Sequence, residues 1–230
     1  MNIFDIIGPV MIGPSSSHTA GATRAGKVAR QLLESSPQKA EITLYNSFAD
    51  TGAGHGTDRA IVGGLLGFEP DDHRLTNSFQ YAAGQGLTYI FSKKTCADIH
   101  PNAVQIRLFG MGREKVTVLI ASVGGGNIRV KKIDGIPVHF SAEFDTTVVF
   151  NRDKPGVVAE LSSILAENKI NIARMQLFRN QILQNAIMVI ETDQAVPDTV
   201  GYRFKKAAYV TRVLQIKAMV ERKSKVGESC

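Results

Sequence analysis

The chain has 230 residues, of which 43% are hydrophobic and 21% charged, with 2 Cys and no Trp. This composition excludes a disordered chain, a collagen-like repeat and a disulfide scaffold. The sequence has no apolar run of about 18 residues that would predict a membrane span, and no basic, hydrophobic leader. We therefore expect a cytoplasmic protein that binds no membrane.

The net charge of +6 comes from the end of the chain. Residues 1–199 hold 19 Lys and Arg against 19 Asp and Glu, whereas residues 200–230 hold eight against two. A nucleic-acid-binding fold usually spreads basic residues over one face. We therefore predict a basic tail over 221–230 and no nucleic-acid partner.

The first hundred residues predict helices interrupted by glycine-rich turns. An apolar segment at 3–7 precedes a loop rich in Gly, Pro and Ser. Apolar spacing predicts a helix from Ala22 to Leu33, with Ser16 or Ser17 as its N-cap. We then expect a strand at 40–47 and helices at 58–66 and 77–92, although the glycines of the last helix each cost about 1 kcal/mol.

The remainder of the chain predicts mainly strands. Four are expected at 103–109, 115–123, 127–133 and 138–144, with a hairpin signal at Asp134-Gly135. Beyond residue 144 the predicted order is strand 146–150, helix 157–167, strands 169–179 and 186–191, helix 197–207 and a strand within 208–219. This order is the ferredoxin-like arrangement. The fold class is therefore α+β, with domains at 1–144 and 145–220.

The motif Gly13-Pro-Ser-Ser-Ser-His-Thr19 contains the first candidate site. Three consecutive hydroxyls at the positive end of a helix favour a bound carboxylate or phosphate. His18 adds a group that exchanges protons near neutral pH. A well-capped helix with an exposed histidine is the alternative interpretation.

Three further turns are candidates. Glycines on both sides of His55 open the backbone around its imidazole, and Thr57 and Asp58 follow at a helix start. In the His100-Pro-Asn102 turn, proline fixes the backbone so that both polar side chains can face one way. Residues 151–156 offer another helix start beside a glycine. A purely structural turn remains the alternative for the His55 turn and for the His100 turn.

A metal centre within this chain is not expected. An iron–sulfur cluster needs three or four ligands, mostly cysteine thiolates, and only Cys96 and Cys230 are present. P-loop, dinucleotide-binding, esterase and zinc-protease motifs are also missing.

Four motifs together resemble the iron–sulfur-dependent bacterial L-serine dehydratases. They are Gly13-Pro-Ser-Ser-Ser-His-Thr-Ala-Gly21, Gly54-His-Gly-Thr-Asp58, His100-Pro-Asn102 and Val123-Gly-Gly-Gly-Asn127. The chain looks like the separate beta chain of the two-chain type. Residues 146–220 resemble an ACT domain, through Asp153-Lys-Pro-Gly156 and Ile170-Asn-Ile-Ala-Arg174.

The resemblance implies a reaction and a division of roles. L-Serine would lose water to give aminoacrylate, then pyruvate and ammonia, with a [4Fe–4S] cluster of the alpha chain as Lewis acid. A monovalent cation is left open. His18 and His55 would be catalytic, and the substrate contacts would be Ser15, Ser16, Ser17, Thr19, Gly54, Thr57 and Asp58.

The resemblance further implies regulation and assembly. Regulatory serine would be bound by His100, Asn102, Asn151 and Gly156. We expect the ACT domain to pair with a second copy through its exposed strand edges, and we expect the chain alone to be inactive. The competing hypotheses are a stand-alone ACT-type amino-acid sensor and a basic-tailed nucleic-acid binder.

Overall fold

A computed structural model describes residues 9–33, 35–180, 182 and 184–219. The apolar segment 3–7, the basic tail 221–230 and Cys230 lie outside the described residues. The described chain forms two sheets, one of six strands and one of four. It contains no helix that combines the length and the apolar character required to cross a membrane.

The first sheet is built from residues 39–140 and has the order β2-β1-β3-β4-β5-β6. Its strands are β1 Lys39–Tyr45, β2 Thr88–Lys94, β3 Ala103–Phe109, β4 Lys115–Gly124, β5 Asn127–Ile133 and β6 Ile136–Phe140. β1 and β2 are parallel, and the other neighbours are antiparallel. The helices of this unit are α1 Ala22–Gln31, α2 Ser47–Thr51, α3 Thr57–Leu65 and α4 Ser78–Gly84.

The helix predicted at 77–92 is wrong in its second half. A short 3₁₀ turn, His73–Asn77, leads into α4, which ends at Gly84, and Gly86 then adopts a φ of +72°. This left-handed conformation is one that glycine accepts and that terminates a helix. The chain continues as edge strand β2, in which Tyr89 and Phe91 face the sheet's packed side. Cys96 consequently follows a strand, not a helix.

The second sheet confirms the ferredoxin-like prediction. Its strands are β7 Asp145–Arg152, β8 Ile172–Asn180, β9 Asn185–Thr192 and β10 Val210–Ile216, with α5 Val157–Glu167 and α6 Asp198–Lys206. They are arranged β10-β7-β9-β8 and all neighbouring pairs are antiparallel. β8 starts three residues later than predicted, because Lys169 adopts a φ of +57° at the turn after α5.

The two units share one hydrophobic core. Val148, Val189 and Leu214 on one face of the second sheet pack into the same cluster as Leu32 of the first unit. The opposite face of the second sheet packs on α5 and α6. Arg212 of β10 also donates to the carbonyl of Leu32 at 2.9 Å, so the ACT-like unit holds the C-terminal end of α1.

Candidate functional site

Ser15, not the predicted Ser16 or Ser17, caps the helical segment of the serine-rich motif. Its hydroxyl accepts a hydrogen bond from the N–H of His18 at 3.3 Å, and a π-helical turn, Ser16–Gly21, then leads into α1. This turn directs His18 and Thr19 inward, and the two residues are only 8% and 3% exposed. The interpretation of His18 as an exposed residue is therefore wrong.

Both ring nitrogens of His18 have hydroxyl partners. Nε2 lies 2.9 Å from Oγ1 of Thr51, and Nδ1 lies 3.3 Å from Oγ of Ser15. The Thr51 hydroxyl donates its proton to the carbonyl of Ser47, so its oxygen accepts from Nε2–H. Nδ1 then keeps the lone pair that accepts from Ser15. For the neutral ring, the network selects the tautomer whose basic nitrogen faces a serine hydroxyl.

The surroundings of His18 oppose a positive charge. Burial lowers the pKa of His18 below its ordinary value, and the neighbouring His55 lowers it further, against a smaller opposing effect of the Ser47 backbone. The His55 ring meets His18 edge-on, with 4.8 Å between centroids, and Phe48 packs at 5.1 Å. A neutral imidazole accepts protons, so His18 has the form of a general base near pH 7.

A cavity of about 190 Å³ lies beside His55. Its wall includes Ile12, Gly13, Pro14, Thr19, Gly54, His55, Arg59 and Thr76. A Cβ atom on Gly13 would lie 2.2 Å from Oγ1 of Thr19, so glycine is needed for the loop to pack over Thr19. Arg59 adds a cation and Thr76 a hydroxyl, and neither residue belongs to a motif that predicts a site.

The other residues predicted at this site lie around the cavity and are not in its wall: His18, Ser15, Ser16, Ser17, Thr57 and Asp58. Thr57 is buried at the start of α3, and its hydroxyl has no partner in the described part of the chain. Asp58 accepts from the N–H of Arg59 at 2.8 Å. Burial and, secondly, the Asp58 carboxylate raise the pKa of Tyr89. Ser16 and Ser17 are half-buried next to Ser15.

His100 belongs to a second, separate cavity of about 660 Å³. Nδ1 of His100 accepts from the N–H of Asn102 at 3.1 Å, and the residue is exposed. Partial desolvation of its ring lowers the pKa of His100, and Lys131, which also lines this cavity, lowers it further. The Asn102 side chain is not in the wall, and its buried Oδ1 has no partner among the described residues.

Ser122 of β4 connects the two motifs. Its N–H donates to the carbonyl of Asn102 at 2.8 Å, and its hydroxyl donates to the carbonyl of Ser17 at 3.0 Å. The His100 turn and the serine-rich motif are therefore linked through one residue. No motif marks Ser122, and only the fold, which brings β4 next to the serine-rich motif, reveals the connection.

Asn151 and Gly156 lie at the turn between β7 and α5. Asn151 is 4% exposed, and its Nδ2 donates to the carbonyl of Arg152. Its Oδ1 is buried without a described partner. Gly156 has a φ of +96° and open space where a Cβ would be. The turn thus offers an unused acceptor beside an accessible backbone.

The described residues do not fit a metal centre. Within residues 9–33, 35–180, 182 and 184–219, no group of three His, Cys, Asp or Glu side chains is placed to hold an ion. Both nitrogens of His18 are engaged by hydroxyls. Cys96 lines the His100 cavity instead.

Comparisons with known proteins match both units. The family described as serine dehydratase beta chain matches residues 2–85, and the ACT domain family matches residues 146–207. The probable L-serine dehydratase beta chain of Bacillus subtilis (strain 168) is 39% identical over 216 residues, 94% of this chain and 97% of the relative. The chain belongs to the L-serine dehydratase beta-chain family.

Two more L-serine dehydratases extend this relationship. The L-serine dehydratase beta chain of Peptoniphilus asaccharolyticus is 38% identical over 90% of this chain and 96% of its own length. L-Serine dehydratase TdcG of Escherichia coli (strain K12) is 29% identical over 80% of this chain but only 44% of its own length. The family therefore includes both separate beta chains and longer proteins that contain an equivalent region.

Proposed function

We propose that this chain is the non-cluster subunit of a cytoplasmic L-serine ammonia-lyase, with domains at 1–144 and 145–220 and a separate basic tail. The supporting observation, in a member of the beta-chain family, is that His18 contacts His55, which lines a cavity together with Arg59, a cation with no ion pair among the described residues. The reaction removes water from L-serine, and the aminoacrylate product hydrolyses to pyruvate and ammonia.

The cavity wall suits a small carboxylate. The exposed Arg59 makes no ion pair or side-chain hydrogen bond with another described residue, and a guanidinium binds a carboxylate through two parallel hydrogen bonds. We assign the serine carboxylate to Arg59. The neighbouring contacts come from Thr19, Gly54 and the hydroxyls of Ser15, Ser16 and Ser17, while Thr57 and Asp58 shape the start of α3.

We assign proton transfer to His18, and proton transfer or substrate orientation to His55. Neutral His18 offers the Nδ1 lone pair, either directly or through the Ser15 hydroxyl, to a proton leaving the substrate. Thr51 fixes the opposite nitrogen, which keeps the ring in one tautomer. His55 lies in the cavity wall and is placed to exchange a proton with bound substrate or to orient it.

The [4Fe–4S] cluster is assigned to an alpha chain, where it supplies a Lewis acid for the departing hydroxyl. The described residues of this chain have no cluster site, so its own contribution is to substrate binding and proton transfer. The chain alone should be inactive. A monovalent cation, if the assembled enzyme uses one, is not assigned to any residue here.

Regulation is assigned to surfaces away from the His55 cavity. We infer that His100 and the Asn102 turn bind activating serine, and that Asn151 and Gly156 form a second regulatory contact. Self-association is assigned to the ACT domain, whose sheet ends at strands β8 and β10. A stand-alone amino-acid sensor would have no use for the His18–His55 pair, so the subunit function is preferred.

Reconstitution with the alpha chain tests the assignment. His18→Ala and His55→Ala should each lower kcat/KM by about 10²-fold or more, the scale of general acid–base catalysis. His139→Ala, which removes an exposed histidine of β6, is the matched control and should keep normal activity. Near-normal activity in both the His18→Ala and the His55→Ala enzymes would refute the proposed roles.

A further inference from the structure

A groove separates the C-terminal end of α1 from α6 of the ACT domain. It consists of two cavities of about 590 and 520 Å³, which share Gln31, Asp198 and Gln215 in their walls. Thr146 and Thr147 of β7 line its deeper part and are nearly fully buried. The groove lies a full length of α1, about 15 Å, from the start of that helix near His18.

Two glutamine amides in the groove are held in fixed orientations. Oε1 of Gln31 accepts from the N–H of Lys217 at 2.6 Å, and Nε2 of Gln215 donates to the carbonyl of Val196 at 3.1 Å. Gln31 therefore retains an unused Nε2 donor, and Gln215 retains an unused Oε1 acceptor. Neither atom has a partner among the described residues. One donor and one acceptor are thus available to a ligand.

Gly201 makes room for the second amide. A Cβ atom at this position of α6 would lie 2.8 Å from Nε2 of Gln215. Any larger residue would push the amide out of its position against the carbonyl of Val196. The glycine is therefore needed for the arrangement in which Gln215 presents its oxygen to the groove.

The groove also contains unpaired charges of both signs. Asp198 and Lys217 are exposed in its wall, and neither side chain has an ion pair or hydrogen bond in the described part of the chain. Elsewhere in the ACT domain, acids are paired: Arg203 contacts Glu167 at 2.7 Å, and Arg179 contacts Asp153 at 2.6 Å. A second carboxylate of the wall, Asp145, accepts from the N–H of Ala218 at 3.3 Å. The groove therefore differs from the neighbouring surface in leaving the Asp198 carboxylate without a partner among the described residues.

We propose that this interdomain groove is a binding site for a small zwitterion with the ammonium and carboxylate groups of an α-amino acid. The ligand carboxylate is bound by Nε2 of Gln31 and the ammonium of Lys217. The ligand ammonium is bound by Oε1 of Gln215 and the carboxylate of Asp198. Each charged group of the ligand then receives one contact from a neutral amide and one from a group of opposite charge.

The position of the site connects it to both domains. Gln31 and Leu32 end the helix that starts after the His18 turn, and Lys217 and Arg212 of the ACT domain already bind these two residues. A ligand bound to Gln31, Lys217 and Asp198 joins α1 to the ACT domain by additional contacts. The site is distinct from the His100 cavity and from the Gly156 turn, and the proposal does not depend on the proposed function.

Amide hydrogen exchange of the full chain tests the site, because it reports where a ligand binds. The probe is L-serine, compared with ethanolamine and 3-hydroxypropanoate, which each carry only one of its two charges. L-Serine should slow exchange in segments 196–202 and 213–217, and neither single-charge compound should do so. Asp198→Asn and Lys217→Met should each raise the serine concentration for half-maximal protection about tenfold or more, because each loses a charge-assisted hydrogen bond.

Two controls keep the result specific. Asp71→Asn removes an exposed acid of the first unit and should leave the protection unchanged. His55→Ala should also leave it unchanged, which separates the groove from the proposed active site. Unaltered exchange of the two segments with L-serine, equal protection by ethanolamine, or full protection in the Asp198→Asn variant would each overturn the proposal.

Discussion

His18 and His100 come from two motifs of the same unit, yet their surroundings are opposite. His18 is buried, both its ring nitrogens contact hydroxyls, and it lies beside a second histidine. His100 is exposed beside Lys131 in a cavity more than three times as large as the cavity beside His55. Its Nδ1 accepts a hydrogen bond from a backbone N–H. The first environment suits proton transfer with fixed geometry, whereas the second suits binding of an anionic group.

The largest contrast should appear when each histidine is replaced by glutamine. Glutamine keeps a donor and an acceptor but exchanges no proton near neutral pH. In the complex with the alpha chain, His18→Gln should lower kcat/KM by about 10²-fold. His100→Gln should leave the rate at saturating serine within about threefold and change only the activation by serine, as judged from initial rates against serine concentration. Equal losses in both variants would contradict the comparison.

Thr51 should contribute to kcat/KM although the residue is exposed. Thr51→Val keeps the shape of the side chain but removes the oxygen that accepts from Nε2–H of His18. An unpartnered buried donor costs about 1–3 kcal/mol, so kcat/KM should fall about tenfold, and Thr51→Ser should restore most of it. A Thr51→Val enzyme with unchanged kcat/KM would show that the tautomer does not depend on this contact.

The pKa of His18 provides a test without turnover. Because its pKa is lowered in the folded protein, the unfolded chain binds the proton more tightly. Stability from this group is therefore complete above the ordinary pKa of about 6.5 and is lost as pH falls through the lower, folded value. His55→Gln should raise the pKa only partly towards its ordinary value, since burial is the larger cause. NMR titration of the His18 ring would measure this, and a lower or unchanged pKa would exclude the electrostatic effect of His55.

Of the substitutions considered, Ser122→Ala should have the smallest effect on stability and activity. It removes the hydroxyl bond to the carbonyl of Ser17 but keeps the backbone bond to Asn102. A loss of about 1 kcal/mol is expected, or about 2–4 °C in Tm for a chain of this size, together with weaker activation by serine. Ser92→Ala, which removes an exposed hydroxyl partner of Thr43, is the control. Identical activation curves for the two variants would refute a link through Ser122.

The fold was predictable wherever a local pattern determined it. The ACT order followed from its alternating strand and helix patterns, and α1 followed from its apolar spacing. The predicted helix runs past the end of α4 because it includes Leu87, Tyr89 and Phe91, whose two-residue alternation is typical of a strand. Gly86 adopts the left-handed backbone conformation that terminates the helix.

The site was predictable in its motifs but not in its contacts. His18 and His55 stand out because hydroxyls or glycines surround them in sequence. Thr51, Arg59 and Ser122 belong to the site only because the fold brings α2, α3 and β4 to the serine-rich turn. Burial of His18 was likewise not predictable, since the π-helical turn that directs it inward has no sequence signal that we recognised.

The central claim is that this chain supplies substrate and proton contacts while a partner supplies the cluster. The most direct measurement is anaerobic pyruvate formation from L-serine by the purified beta chain, the purified alpha chain, and mixtures in which the beta chain is titrated into a fixed amount of alpha chain. Our account predicts no pyruvate from the beta chain alone, even after it is offered iron and sulfide, and activity in the mixtures that rises with added beta chain until it saturates. Pyruvate formation by the beta chain alone, with a stable iron–sulfur absorbance, would contradict it.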